Sequence, residues 1–497
     1  MSQIRVSDLC FGYEGSTEDI FEHVSFSVDT DWRLGFIGRN GRGKTTFLRL
    51  LTGEYPYRGS IETSAEFRLF PCRVRDSAQM TLDVLRECCT QAEDWALIRE
   101  ASLLDVDAEV LYRPFDTLSG GERTKLLLAA MFLGEHRFLL IDEPTDHLDA
   151  AARQKVGAYL AKKKGFILVS HDRDLLDACT DHVLVLNRGS ITVQSGNFSE
   201  WQMQKARQDQ FAEAENEKHR REIRKLRQAA KRTAEWAEKS ERTKIGFDPV
   251  KEHDRSIATR SYIGAKTKKM QSRVASTEKR FAREIAAKEG LLRDIEETAA
   301  LRLSPAEYPQ RVLVHAAELS LFYGEKTVCS GVTFDIERGD RIALCGRNGS
   351  GKSSLLKLIC GEEIAHGGVL EIGSGLRISY VPQETAALCG TVRDYADACG
   401  IDRSLFSAIL RKMGFEREQL ARRLEDGSEG QKKKILLARS LCEQAHLYIW
   451  DEPLNYMDVI SRMQLEALIR ESAPTLLFVE HDAAFCRAAA TKTVVLP

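Results

Sequence analysis

No stretch of this sequence is long and apolar enough to cross a bilayer. Runs such as FILV and HVLVL are short, and even LLLAAMFL stops at 8 residues, whereas a membrane span needs about 20 residues. The opening MSQIRVSDLC lacks the apolar core of a signal peptide, so neither export nor membrane insertion is expected. No C-x-x-C pair occurs among the 12 cysteines. That argues against a zinc finger and a disulfide framework, and leaves buried or idle thiols in a reducing cytosol as the expectation. Charge of neither sign prevails overall, with 72 Lys and Arg against 74 Asp and Glu. What remains is an ordinary soluble composition, 43% hydrophobic and 29% charged over 497 residues, too long for one core and suited to two or three domains.

The chain repeats itself. GFIGRNGRGKTTFLRLLTGEY, from Gly35, matches ALCGRNGSGKSSLLKLICGEE, from Ala343. LSGGERTKLLLA around Ser119 answers GSEGQKKKILLA around Ser428. LLIDEPTDHLD around Glu143 answers LYIWDEPLNYMD around Glu452, and LVSHD at His171 answers FVEHD at His481. Four blocks in one order at a near-constant spacing mean two copies of one domain. The predicted fold class is α/β, with domains at 1–198 and 306–497 and a linker over 199–305.

Each copy opens on G-x-x-x-x-G-K-[ST] between an apolar strand-like run and a helical run, the context in which that motif cradles a triphosphate. The residues concerned are Gly38, Asn40, Gly41, Gly43, Lys44, Thr45 and Thr46 in the first copy. In the second they are Gly346, Asn348, Gly349, Gly351, Lys352, Ser353 and Ser354. Glycines let backbone N–H groups curl around phosphate oxygens, and the helix N-terminus adds positive potential. Lys44 and Lys352 reach the β- and γ-phosphates of ATP, and the Thr45 and Ser353 hydroxyls face Mg²⁺. Asp142 and Asp451 end apolar strands and suit the metal shell, while the adjoining Glu143 and Glu452 suit polarising the attacking water. His171 and His481 close later strands, where they can touch the γ-phosphate or that water.

Between the copies the composition changes. Residues 201–300 hold 25 Lys and Arg against 17 Asp and Glu, a surplus of 8 in a chain whose net is −2, so the rest carries −10. Met270, Val274, Phe281, Ile285, Leu292 and Ile295 form a one-sided helical stripe. The stretch from about 200 to 241 opposes it with Phe211, Ile223, Leu226 and Trp236. The two predict an antiparallel helical hairpin with its tip ~60 Å out at ~1.5 Å per residue. That tip, KIGFDPVKEHDRSIATRSYIGAKTKK, offers Lys244, Arg255, Arg260, Lys266, Lys268 and Lys269 to phosphates, with Phe247 and Tyr262 for stacking on bases.

These blocks resemble the ATP-binding cassette superfamily: Walker A, signature, Walker B and switch His in order. The resemblance implies that two cassettes close head to tail, within one monomer. One site then joins Lys44, Glu143 and His171 to Ser428, Gly430 and Gln431, and the other joins Lys352, Glu452 and His481 to Ser119, Gly120 and Gly121. It implies that Tyr13 and Tyr323 stack on adenine, and that Gln383 senses metal and water. Cys72 stands at the matching place in the first copy. Ser428-Glu429-Gly430 replaces Ser-Gly-Gly, which places Cys72 and Glu429 in one irregular composite site. Two cassettes on a charged linker look like the ABC-F proteins. TDWRLGFIGRNGRGKTTF, SEGQKKK and IWDEPLNYMDVISR, the absence of a sizeable insertion in the first cassette, and a chain that stops soon after the switch His look like the Lsa-type antibiotic-resistance branch. That resemblance implies a cytoplasmic ATPase on the bacterial 70S ribosome, with neither membrane nor DNA as partner. It would sit at the exit-tRNA site against 23S rRNA and P-site tRNA, and protect against lincosamides, pleuromutilins and streptogramin A. The rival expectations are an ABC-F translation factor without a resistance role, or the ATPase pair of a membrane transporter.

Overall fold

The protein is described by a computed structural model. It describes residues 3–245 and 303–496, apart from 14–18, 73, 90–91, 134–136, 146–147, 188, 325, 348, 386–387 and 416–418, together with 276–277, 279–281 and 283. The chain divides into two compact units, residues 1–201 with 298–497, and residues 202–297.

In the first unit each cassette is built on a mainly parallel sheet. The first runs in the order Glu66–Phe70, Arg137–Asp142, Phe166–Val169, Arg33–Gly38, His182–Leu186 and Ile191–Ser195. All neighbours are parallel except the last pair. The second repeats it as Ile378–Val381, Leu447–Asp451, Leu476–Val479, Arg341–Cys345 and Lys492–Val495, all parallel. Parallel strands covered on both faces read as unbroken apolar runs, which is why FILV and LLFV are buried at every position. A three-stranded antiparallel sheet accompanies each: Phe21–Asp29, Gln3–Phe11 and Arg58–Glu62 in one, and Lys326–Glu337, Val312–Tyr323 and Ala365–Ile372 in the other. Short helices, Thr81–Cys88 and Asp94–Leu103 in one copy and Val392–Ala398 and Arg403–Lys412 in the other, bury Leu85, Leu97, Phe406 and Leu410 in the cassette cores.

The last helix of the first cassette begins with Phe198 and Trp201 in its core and runs unbroken from Phe198 to Ile245. Its sequence is rich in good helix formers and free of Gly and Pro. At ~1.5 Å per residue these 48 residues span ~72 Å. In the second unit Ile223 is buried and Leu226 half-buried on this helix, as the expected stripe requires, but Phe211 is 64% exposed. Its burying neighbours on the helix are instead Ala212 and Asn216: the inward face runs through 212, 216 and 223, one residue on from Phe211. The described residues of 276–283 are helical and include Phe281. Met270, Val274, Ile285, Leu292, Ile295, the side chain of Trp236, and the tip residues Phe247, Arg255, Arg260, Tyr262, Lys266, Lys268 and Lys269 lie outside the described residues, as does the side chain of Lys244.

Candidate active site

Both phosphate loops leave the C-terminal end of a central strand and enter a helix, Lys44–Leu51 or Lys352–Ile359. Gly43 and Gly351 cap those helices at φ 99° and 87°, a conformation that favours glycine. A Cβ at Gly43 would lie 2.7 Å from Ile20, and one at Gly351 2.9 Å from Val328. The loops therefore tolerate no side chain there. Lys44 curls back to donate to the Gly38 carbonyl (2.7 Å) and to Asn40 Oδ1 (3.0 Å). Lys352 donates to the carbonyls of Gly346 (2.9 Å) and Arg347 (2.8 Å). Burial lowers the pKa of both ammonium groups. Asp458, Glu143 and Asp142 oppose the shift at Lys44, and Glu452 and Asp451 at Lys352. Asn348 lies outside the described residues.

The Thr45 hydroxyl donates to Asp142 at 2.8 Å. Asp451, its counterpart, is fully buried, and neither carboxylate oxygen has a hydrogen-bond partner. Burial raises its pKa, with Ser353 beside it pulling the other way. Glu143 and Glu452 follow at φ 46° and 48°, a strained backbone for a non-glycine residue that collects at functional positions. Their N–H groups hold them by donating to Val169 (2.9 Å) and Val479 (3.0 Å). The Glu143 carboxylate lies 3.1 Å from His171 Nε2, and that of Glu452 3.5 Å from His481 Nε2. Burial, then the nearby Lys44 and Arg462, drives His171 well below its usual pKa and keeps it neutral. Burial pushes Glu452 up, but hydrogen bonds involving His481, Gln383 and Asn455 outweigh it and hold the carboxyl low. The Gln383 amide donates to Glu452 at 2.9 Å.

The cassettes exchange contacts reciprocally. Arg462 of the second donates to the His171 carbonyl of the first (3.1 Å), and Arg153 of the first reaches the His481 carbonyl of the second (3.5 Å). Asn40 donates through its side chain to the Tyr456 carbonyl (2.8 Å) and through its backbone to Asp458 (3.3 Å). Arg173 pairs with Glu466 across the same boundary. A cavity of about 760 Å³ runs between them, lined by Asn40, Glu143, His171, Lys352, Ser353, Gln383, Glu452 and His481. That volume suits a nucleotide. Arg153 and Arg462 were not singled out from sequence, although AARQK and ISRMQ set them one repeat apart.

The signature serines do not line this cavity. Ser119 and Ser428 instead N-cap the helices Gly120–Met131 and Glu429–Cys442, in capping boxes with Glu122 and Gln431. Gly430 nonetheless packs on the Tyr456 carbonyl that Asn40 contacts, since a Cβ there would sit 2.9 Å from that oxygen. A signature glycine and the opposite phosphate loop thus share one backbone carbonyl. Tyr13 and Tyr323 are half-exposed and equivalently tethered, by hydroxyl contacts to Thr46 (2.9 Å) and Ser354 (3.2 Å).

One expectation needs correction. Cys72 is not an idle thiol at the site: it is bonded to Cys88 at the end of the Thr81–Cys88 helix, with Cα atoms 6.8 Å apart. Spacing of 16 residues gave no signal because the fold, not the sequence, brings strand end and helix end together. Glu429, expected beside the triphosphate, has partners of its own in the second cassette. Its carboxylate accepts from Thr385 and pairs with Lys432 at 3.1 Å, which lower its pKa.

Sequence also passed over Lys433. It is 1% exposed and donates to the carbonyls of Pro382 (2.7 Å) and Asp451 (2.7 Å), with a longer bond to Gln383 (3.4 Å). Burial lowers its pKa to about 8. One ammonium ties the Gln383 turn to the strand end of Asp451, where the first cassette has Thr124. Lys433→Thr should cost roughly 2–3 kcal/mol, the penalty of buried acceptors left without a donor. Denaturant unfolding measures it, and an unchanged midpoint would contradict the role.

The family model described as "ABC transporter" matches residues 21–146 and 329–455. The chain belongs to the ATP-binding cassette family. It is an ATP-binding protein with two cassettes and an ATP hydrolase. Over nearly its whole length it is similar to ABC-F proteins. It is 28% identical to "Ribosome protection protein VmlR" of Bacillus subtilis (strain 168), over 97% of this chain and 85% of that protein. It is also 28% identical to "ATP-binding protein Uup" of Caulobacter vibrioides, over 100% and 76%. "ABC transporter F family member 2" of Arabidopsis thaliana is 25% identical, over 98% and 75%. Among solved structures, the complex of archaeal ribosomal stalk protein aP1 and archaeal ribosome recycling factor aABCE1 has a TM-score of 0.62 at 20% identity, covering 98% of this chain and 87% of that one. "RNase-L Inhibitor" has a TM-score of 0.61 at 19%, covering 98% and 87%. These structures support the tandem-cassette fold. Among the described residues no helix is long and apolar enough to cross a membrane.

Proposed function

We propose that this chain is a ribosome-binding ABC-F ATPase of the cytoplasm that occupies the exit-tRNA site of the bacterial large subunit. Its linker reaches toward the peptidyl transferase centre between 23S rRNA and P-site tRNA, and so protects against lincosamides, pleuromutilins and streptogramin A. One observation carries the reading: a 48-residue charged helix leaves the first cassette and leads into a basic segment between two ATPase domains. A transporter ATPase pair has no use for it. Similarity along almost the full chain to a protein named for ribosome protection supports the same conclusion.

The cassettes supply the chemistry. ATP in the shared cavity would bridge them, with Lys44 and Lys352 on phosphate oxygens and Tyr13 and Tyr323 against adenine. Mg²⁺ fits the donors: the unpartnered, buried Asp451 beside Ser353, with Gln383 near, and the Thr45–Asp142 pair. Bound there, the cation supplies neutralisation of phosphate charge. Glu452, kept ionised by its neighbours, would take the proton of the attacking water, and His481 would steady it. Glu143 and His171 are the equivalent pair.

The two sites are unequal. Glu452 has Gln383 to orient water, whereas Cys72 is tied up with Cys88. Glu452→Gln should therefore depress steady-state ATPase several-fold more than Glu143→Gln. Equal losses would contradict this asymmetry. The proposal as a whole is tested by sedimenting the purified chain with 70S ribosomes. ATP should raise the bound fraction, and no association under any nucleotide condition would overturn it.

A further inference from the structure

The repeat supplies an internal control for a cluster away from the ATP cavity. In both cassettes the first strand pairs with a bulged neighbour. Asp8 and Glu318 sit at that bulge with φ 52° and 49°. Each donates its N–H at 2.9 Å to a hydroxyl on the facing strand, Ser25 or Thr333. On that strand His23 and Gly331 take φ 50° and 69°. Each donates its N–H at 3.2 Å, to Cys10 Sγ in one copy and Ser320 Oγ in the other. Backbone conformation and hydrogen bonds therefore pair Asp8 with Glu318, Cys10 with Ser320 and His23 with Gly331.

Only the side chains differ. The second cassette puts glycine where φ is positive, as that conformation prefers. The first puts a histidine there, at a cost of about 1–2 kcal/mol for an L-residue in the left-handed region. Its gain is not explained by the exposed hydrogen bond from His23 Nδ1 to Asp8 Oδ1 at 2.6 Å, because exposed pairs of this kind are worth at most about 1 kcal/mol. Nor does such a bond require sulfur in place of the sister's hydroxyl. The three substitutions together bring one ligand atom of each residue, a carboxylate oxygen of Asp8, the sulfur of Cys10 and a ring nitrogen of His23, within 4.8 Å of one another. Cys10 is buried beneath, and Asp8 and His23 are open to solvent above.

We propose that Asp8, Cys10 and His23 form a transition-metal site of the Zn²⁺ class, present in the first cassette and absent from the second. Mixed O, N and S donors suit a borderline-soft ion and not Mg²⁺ or Ca²⁺, and three protein ligands leave a fourth position for water. The scattered cysteines hid the site from sequence, since its ligands come from two strands and no C-x-x-C marks it. The ion would pin strand Gln3–Phe11 to strand Phe21–Asp29. The second strand's start, Phe21, lies with Ile20 against Gly43 of the first phosphate loop. A cation there would steady the floor of that loop.

Cobalt(II) is the probe, added to the full-length chain after chelation and reduction. One equivalent should bind at micromolar concentration, with visible bands of low-coordinate cobalt and a sulfur-to-cobalt charge-transfer band, and Zn²⁺ should displace it. Cys10→Ser, the sister's residue, should erase the charge-transfer band. His23→Gly, again the sister's residue, should weaken binding at least about tenfold, since even outer partners of a metal site are worth that much. Without metal, His23→Gly should melt no lower than wild type, because it relieves the positive φ. Zn²⁺ should then raise the melting temperature of wild type and not of either variant. Absence of a charge-transfer band in wild type, or one that survives both substitutions, would overturn the site.

Discussion

With Gln in place of both Glu143 and Glu452, ATP hydrolysis should fall at least about a hundredfold while ATP binding persists. A positioned general base contributes about 10²–10⁴-fold, and the amide that replaces it has the same shape. Its neighbours' hydrogen bonds, to His171, His481 and Gln383, remain geometrically possible. Since Arg153, Arg462 and Asn40 already hold the cassettes together across the cavity, uncleaved ATP should keep them closed. With ATP acting as a clamp, closing the cassettes on the ribosome until hydrolysis releases the protein, the double variant should stay on ribosomes far longer than wild type. Sedimentation after dilution into nucleotide-free buffer measures this. Release as fast as wild type would contradict the clamp, whatever happens to the ATPase rate.

Shortening the tip between Phe247 and Arg260 should abolish drug protection and spare the ATPase. Neither cassette is touched by the deletion, and the residues that line the cavity are all outside it. Ribosome binding should persist in large part, because Lys244, Lys266, Lys268 and Lys269 remain. Exchanging those four for Gln is the complement: binding should weaken and its salt dependence flatten, as fewer counterions are released. Growth inhibition by a lincosamide and a pleuromutilin, in cells making equal amounts of each variant, separates the two effects. Full resistance from the shortened tip would reduce the linker to a spacer.

Much of this was legible in the sequence, because repetition turns weak signals into strong ones. The phosphate loops, the carboxylates at Asp142–Glu143 and Asp451–Glu452 and the switch histidines occur twice at one spacing, each at a strand end that apolar runs already mark. Other features needed three dimensions. Arg153 and Arg462 act across the cassette boundary, so nothing local in their sequence distinguishes them from surface arginines. Lys433 looks like one charge in the run QKKK, and only burial shows that it serves three carbonyls. Cys72 was read for the chemistry of its position in the repeat, and its partner Cys88 lies on a helix that sequence could not bring near. Glu429 was read for its place in the signature motif, and the fold adds Thr385 and Lys432 as its partners. Phe211 was assigned inward from residue type, when the helical face turns one residue further on.

The central claim, that this ATPase protects ribosomes through its linker, is tested most directly by expressing the wild-type chain in a drug-sensitive bacterium. The inhibitory concentrations of a lincosamide, a pleuromutilin and streptogramin A are then measured, with an antibiotic acting away from the peptidyl transferase centre as control. The account predicts several-fold increases for the first three and none for the control. Unchanged susceptibility to all three, in cells whose ribosomes carry the protein, would contradict it.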